Sequence, residues 1–200
     1  MKTNAALAAF GAATIWLVAS FPGNAQTPPA PTTPPVAVPA VVVAAPAPAD
    51  PRTLFSGTYR PEPGPGNHNA IEAGIDHAVS GLFFLVRGIA HGRIAEGNPI
   101  FPFIRFAFPP GTIEMYAGNY VVRSPDNGGE STVHGLDNHT NRVTQRFNGL
   151  DRLMQVTWNN DGRRQSEYVL SADGHTLLVN ILITSDRLPL PVRYTMRYRR

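Results

Sequence analysis

Residues 191–199 read Pro-Val-Arg-Tyr-Thr-Met-Arg-Tyr-Arg, and this stretch decides the fold class. Apolar and aromatic side chains alternate with polar ones, a period of two that is typical of a β-strand with one buried face. The alternation places Val192, Tyr194, Met196 and Tyr198 on one face and mostly arginines on the other. We therefore predict a strand whose aromatic face points into a core and whose arginine face points to solvent.

The same period extends upstream to Pro99. We predict strands at residues 101–108, 112–117, 120–124, 130–136, 142–148, 152–158, 163–171, 176–184 and 191–199. Turn sequences such as Asn148-Gly149 and Asp173-Gly174 separate them. Strands joined by short turns without intervening helices predict an antiparallel meander, which closes as a barrel or, as the alternative, stacks as a sandwich.

Further inward faces follow from the same alternation. One predicted inward face consists of Leu177, Val179, Ile181 and Ile183. Another consists of Met154, Val156 and Trp158. A ligand inside a barrel would touch its aromatic and apolar inward side chains. The predicted ligand-binding residues are Trp158, Val192, Tyr194, Met196 and Tyr198.

One long helix is predicted at about residues 69–96, between a first strand at 54–60 and the second strand at 101–108. Asn69 and Glu72 have the spacing of a capping box, and apolar residues recur at helical spacing after them. Three glycines recur every seven residues along it: Gly74, Gly81 and Gly88. Such a small-residue flank favours close approach of another backbone, either the protein's own sheet or a partner helix.

The first 51 residues differ in composition from the rest. Lys2 precedes an uncharged apolar run and then the small residues Gly23 and Ala25, the layout of a secretory signal peptide cleaved after Ala25. An uncleaved membrane anchor is the alternative. We therefore predict a signal peptide at 1–25, a Pro/Ala-rich disordered linker at 26–51 and a single β-rich domain at 52–200. The mature chain is expected to be periplasmic or secreted, with no transmembrane segment after cleavage.

Composition excludes several kinds of chemistry. The chain has no cysteine, and Lys2 is its only lysine, so thiol nucleophiles and zinc-thiolate sites are excluded, and lysine chemistry is not expected in the mature chain. No Gly-x-Ser-x-Gly motif and no glycine-rich phosphate loop is present. We expect a protein that is not an enzyme and has no cofactor. The small positive charge does not by itself indicate nucleic acid.

A polar turn raises the question of a metal site. His134 and His139 flank Asp137, and imidazole with carboxylate suits Zn²⁺ or Cu²⁺. Asn, Asp and His are also common in turns for local backbone reasons. We therefore predict no metal site.

Two segments carry a resemblance to a known family. The opening residues 55–59 (Phe-Ser-Gly-Thr-Tyr) and the stretch 168–177, which continues into 187–191, resemble secreted bacterial lipocalin-like (calycin-type) domains, many of them of unknown function. The resemblance covers about the final third of the chain well, and it implies a β-barrel that binds small apolar molecules. A helix between the first two strands departs from the simplest lipocalin plan.

Two functional hypotheses follow. The first is an exported, non-enzymatic lipocalin-like domain that binds a small apolar or amphipathic molecule. The alternative is a structural or interaction protein of the cell envelope, which docks through its arginine-rich face, for example on an anionic surface, or through its glycine-flanked helix. An apolar interior cavity of about 300 Å³ or more would favour the first, and a filled interior would favour the second.

Overall fold

The computed structural model describes residues 49–136 and 139–200. The described chain contains ten strands, in order β1 (Gly57–Pro61), β2 (Ile104–Ala107), β3 (Thr112–Ala117), β4 (Tyr120–Pro125), β5 (Ser131–His134), β6 (Thr140–Phe147), β7 (Arg152–Trp158), β8 (Arg163–Leu170), β9 (Thr176–Thr184) and β10 (Val192–Arg199). Three helices precede β2: α1 (Pro51–Phe55), α2 (Gly66–Val79) and α3 (Phe84–Glu96).

All ten strands belong to one antiparallel sheet. Its order is β4-β3-β2-β1-β10-β9-β8-β7-β6-β5. Every pairing joins two strands that are consecutive in sequence, except the pairing of β1 with β10. The two end strands approach each other, because β4 contacts β5 and β6, although no described backbone ladder joins β4 to β5. The sheet is therefore a nearly closed barrel, and the predicted fold class is confirmed.

The helical segment differs in detail from the single helix predicted at 69–96. It begins at Gly66 and is divided at residues 80–83 into α2 and α3. At the break, Ser80 Oγ donates to the backbone oxygen of His77 at 2.8 Å, a local bond that competes with helix continuation, and Gly81 follows with its low helix propensity. The earlier start leaves Asn69 inside the first turn rather than at the predicted cap.

Helix α2 docks on the edge of β10 that β1 leaves uncovered. The β1–β10 ladder pairs only Arg60 with Arg199 and Pro61 with Tyr198. Beyond it, the Asn67 side chain accepts from the Arg197 backbone nitrogen at 2.7 Å and donates to the Arg197 oxygen at 2.9 Å, as a neighbouring strand would. The helix thus completes the pairing that β1 begins.

Gly74 is the closest contact in this docking. A Cβ at position 74 would lie 2.4 Å from the Arg193 backbone oxygen, whereas one at Gly88 would meet nothing within 4 Å. Of the three predicted flank glycines, Gly74 therefore serves the protein's own sheet, whereas Gly81 lies in the break after α2 and Gly88 faces open space in α3.

The interior of the barrel is filled by its own side chains. Phe106 on β2 packs edge-on against Tyr168 on β8 with ring centroids 5.2 Å apart, although four strand steps separate these strands in the sheet. Opposite walls therefore touch. The inward side chains from Leu177 to Ile181 and from Val192 to Tyr198 are at most 7% exposed, whereas the lining of an open cavity would be accessible to water.

Strand β7 faces the opposite way from the prediction. Leu153 and Gln155 are buried in the interior, and Met154, Val156 and Trp158 lie on the outer face. The prediction was wrong because it placed the more apolar set inside. Gln155 is accepted in the interior because its side-chain amide has a buried partner, described below.

The predicted signal peptide at 1–25 and nearly all of the linker at 26–51 lie outside the described residues, so these boundaries stay predictions. The described domain begins with α1, where Asp50 caps Pro51–Phe55 by accepting from the Arg52 backbone nitrogen at 2.9 Å. None of the helices in the described ranges is both long enough and apolar enough to cross a bilayer.

Substituting Gly74 by alanine is expected to destabilise the domain by about 1–3 kcal/mol, because the new methyl group would force α2 away from β10. The matched control, Gly88→Ala in α3, adds a methyl group in open space and is expected to stabilise the domain by about 0.5–1 kcal/mol. Urea unfolding of both variants measures the difference. Equal effects would contradict the docking of α2 on β10.

Candidate functional site

The interior becomes polar at one end, which we call the mouth. Three half-buried inward side chains lie side by side there in strand register: Thr157 on β7, Arg164 on β8 and Ile183 on β9. Asn98, which follows the last turn of α3, reaches the Arg164 side chain. The mouth is thus the place where helix, sheet and solvent meet.

Arg164 is an inward-facing cation with only neutral hydrogen-bond partners. Its guanidinium donates to Asn98 Oδ1, to Ser166 Oγ at 3.4 Å and to Tyr194 Oη at 3.5 Å. In the part of the chain that the structure describes, no ion pair includes Arg164. Since a guanidinium offers five donors in a planar fork, this arrangement leaves capacity for an anion.

Asn98 holds α3 to the mouth. Its side chain is 6% exposed, accepts from Arg164 and from Tyr194 Oη, the latter at 2.7 Å, and donates to the Ile94 backbone oxygen at 2.6 Å. One amide therefore satisfies a helix carbonyl and a cation at once. Displacing Asn98 from Arg164 would release the end of the helix.

A line of buried polar side chains lies in the layer of the interior next to the mouth, where Gln155 is in register with Ser166. Ser124 Oγ donates to Gln145 Oε1 at 2.9 Å, and Gln145 Nε2 donates to Gln155 Oε1 at 3.0 Å. All three are nearly inaccessible to water, and the first of these bonds links β4 to β6 where no ladder joins the sheet's two ends. The line therefore helps to close the barrel without backbone pairing.

Helix α3 ends next to the mouth, where Asn98 follows it, and it has little burial of its own. None of its residues is buried, and a cluster of large apolar side chains in and before it is at least half exposed: Phe83, Phe84, Leu85, Val86 and Ile89. His91 Nε2 lies 3.1 Å from Glu72 Oε2 and 3.4 Å from Asp76 Oδ1, which ties α3 to α2. Elements with few buried contacts are the ones that open most readily.

Burial raises the pKa of four interior tyrosines, Tyr59, Tyr168, Tyr194 and Tyr198. Removal from water is the largest cause in each case. Burial raises the pKa of Tyr198 to about 12, although the nearby Phe101 backbone lowers the pKa slightly. Within the described residues, Tyr198 Oη makes no well-formed hydrogen bond.

The structure separates the residues predicted to bind a ligand. Val192, Tyr194, Met196 and Tyr198 line the interior as predicted, and Trp158 lies on the outer face of β7. Only Tyr194 among them reaches the polar cluster at the mouth. Their role in ligand binding stays a prediction.

Arg164 and Asn98 were missed by the sequence analysis. Arg164 shares the face of Ser166 and Tyr168, and its alternation with Arg163 and Gln165 gives no signal of which arginine points inward. Asn98 precedes a proline and reads as a simple helix stop. Only the register of β8 and the return of α3 bring the two side chains together.

The structure describes the turn between His134 and His139 only in part. Within residues 49–136 and 139–200, no three His, Cys, Asp or Glu side chains are placed to hold a metal ion. Asp137, the residue between the two histidines of that turn, lies outside the described residues.

The fold is a nearly closed antiparallel β-barrel of ten described strands, with its helices before β2. Three solved structures of low identity are similar to it. A Schistosoma mansoni fatty acid binding protein in complex with arachidonic acid is 15% identical, with 74% of this chain and 97% of that chain covered and a TM-score of 0.46.

The second is the apo form of Caenorhabditis elegans lipid binding protein 8, which is 11% identical, with 74% of this chain and 96% of that chain covered and a TM-score of 0.45. The third is a zebrafish ileal bile acid-binding protein complexed with cholic acid, which is 12% identical, with 74% of this chain and 98% of that chain covered and a TM-score of 0.44. No protein-family model and no curated protein sequence matches the chain.

Stability is expected to fall as the pH rises from 10 to about 12. Unfolded tyrosines ionise near 10.0, while the buried ones keep their protons to higher pH, so unfolding releases protons in this window. Each such tyrosine contributes about 1.4 kcal/mol of lost stability per pH unit. Thermal unfolding at a series of pH values measures the slope.

Tyr198→Phe is the control for this prediction. It removes a hydroxyl that has no well-formed hydrogen bond, so it should fold well and lower the alkaline slope by about one proton. An unchanged slope in this variant would show that Tyr198 ionises as readily in the folded state as in the unfolded one.

Proposed function

We propose that this domain binds a small amphipathic anion, a molecule with an apolar body and a carboxylate or similar head group, without catalysing a reaction. The observation that carries the proposal is the inward-facing Arg164, whose only partners in the described chain are the neutral oxygens of Asn98, Ser166 and Tyr194. A cation in that setting is stabilised by an anion that brings paired hydrogen-bond acceptors.

The filled interior matches what was expected of the docking alternative and not of a carrier with a preformed cavity. The binding proposal therefore rests on Arg164. Because the inward side chains of β9 and β10 are packed, the ligand's body must displace side chains or lie against α3. The head group competes with Asn98 for Arg164, and loss of that contact frees the end of α3. Binding and opening of the mouth are therefore one coupled event.

The exposed apolar cluster of α3 fits this role. Phe83, Phe84 and Leu85 are each more than 60% exposed, an arrangement that costs solvation free energy unless another apolar surface covers it. An amphipathic ligand or the assembly that delivers it supplies such a surface. The alternative role, docking through the glycine-flanked helix, loses support because Gly74 is occupied by β10.

Binding of a fluorescent long-chain carboxylate tests the proposal, with the matching long-chain alcohol as the ligand control. The wild-type domain is expected to prefer the carboxylate, and Arg164→Gln should weaken its binding about tenfold or more, because hydrogen bonds to charged groups contribute about 1.5–3 kcal/mol. Arg60→Gln, which removes an exposed arginine from β1, should bind like the wild type.

Two results would count against this proposal. No saturable binding of either probe would remove the binding function itself. Equal binding of acid and alcohol, with no effect of Arg164→Gln, would leave an apolar ligand site but remove Arg164 as its anion contact. Circular dichroism of each variant confirms that the barrel is intact.

We further propose that the chain is exported and cleaved after Ala25. The support is the sequence alone: the charge at Lys2, the uncharged apolar run and the small residues Gly23 and Ala25. Amino-terminal sequencing of the protein recovered from a bacterial secretion host should begin at Gln26. An intact Met1 in the membrane fraction would favour the uncleaved anchor.

A further inference from the structure

A second concave site lies on the outer face of the barrel, at the same end as the mouth: its Trp158, Arg163 and Thr184 adjoin the mouth residues in the chain and face the opposite side of the sheet. It is an open groove of about 780 Å³ over β6, β7 and β8, within the size range of small-molecule sites. Met154, Val156 and Trp158 of β7 form its floor, and each is half-buried. Three large apolar side chains thus line one strand on the outer face, where a sheet surrounded by water more often carries polar residues.

Two loops form a rim of fixed shape. Ser185 Oγ donates to the Asp161 backbone oxygen at 2.6 Å, and Arg187 forms an ion pair with the Asp161 side chain at 2.6 Å. A Cβ on Gly162 would lie 2.7 Å from the Thr184 backbone oxygen, so the loops approach as closely as backbones can. The exposed groups of this rim are thus preorganised rather than free to collapse.

The charges beside the floor are unbalanced toward cations. Trp158 lies in register between Arg142 on β6 and Arg163 on β8. Arg142 is paired with Glu130 at 3.0 Å. Arg163 and Arg146, which line the groove, have no ion-pair partner within the described ranges. An indole therefore lies between two loops of hydrogen-bonding groups, with two unpaired guanidiniums beside it.

We propose that this groove binds an acidic oligosaccharide. A sugar ring presents an apolar face that fits Trp158. The hydroxyl groups of the sugar match the amide and carboxylate groups of the rim, such as Asn160 and Asp186. The carboxylate or sulfate group of the sugar pairs with Arg163 and Arg146. Single-stranded nucleic acid fits less well, since it stacks successive bases on several aromatic rings and the groove has one.

Tryptophan fluorescence tests the proposal directly. The sequence has two tryptophans, so in a Trp16→Phe background the signal comes from Trp158. A heparin-derived tetrasaccharide is expected to change this signal saturably, with affinity that falls as salt rises. Maltotetraose, sodium sulfate and a short oligothymidylate at the same concentrations should bind at least tenfold more weakly.

Two variants locate the site. Arg163→Gln is expected to weaken tetrasaccharide binding about tenfold, whereas Arg197→Gln, which removes an exposed arginine of the same outer face outside the groove, should change it less than twofold. Trp158→Phe should keep binding by calorimetry and Trp158→Ala should lose it; if the alanine variant does not fold, the arginine pair still decides.

Equal effects of the two arginine variants would mean diffuse charge attraction and would overturn the proposal. So would equal or tighter binding of sulfate alone, of the neutral sugar or of the oligonucleotide, or no binding at all. The mouth and the groove are tested by different probes and different arginines, so failure at one leaves the other unaffected.

Discussion

The barrel depends on how the backbone groups along the edge of β10 that β1 leaves unpaired find hydrogen-bond partners. Strand β1 pairs with only the last residues of β10, and a buried strand edge with unpaired backbone groups would be costly. At Arg197 the Glu62 backbone nitrogen and the Asn67 side chain together take the place of a strand, and Gly74 lets α2 lie against Arg193.

The interior combines two kinds of packing. Around Phe106 and Tyr168 opposite walls meet through aromatic rings, and toward the open seam Gln145 and Gln155 pair their amides. Filled interiors of this kind specify one packed state, so the ligand that we propose at the mouth would bind only with movement of α3. In that proposal Arg164 supplies the electrostatic part of the coupling.

The inner and outer faces of the sheet have separate chemistry. Inside, the Arg164 guanidinium lies among neutral oxygens at the end of the filled core. Outside, Trp158 and its neighbours form an apolar floor among arginines and loop polar groups. Both sites take an anionic ligand in our account, but they differ in shape: the mouth suits an apolar body with one head group, and the groove suits a ring bearing hydroxyls.

The strands, their turns and the inward face of β10 could be predicted from local sequence, because period-two alternation and Asn-Gly or Asp-Gly turns are local properties. The facing of β7 could not, since its inward glutamine is tolerated only because a glutamine on the neighbouring strand pairs with it. Likewise, the partners of Arg164 are Asn98, 66 residues away, and Tyr194, 30 residues away. Such contacts form only when the sheet closes, and so the facing of Arg164 follows from the folded arrangement and not from local pattern.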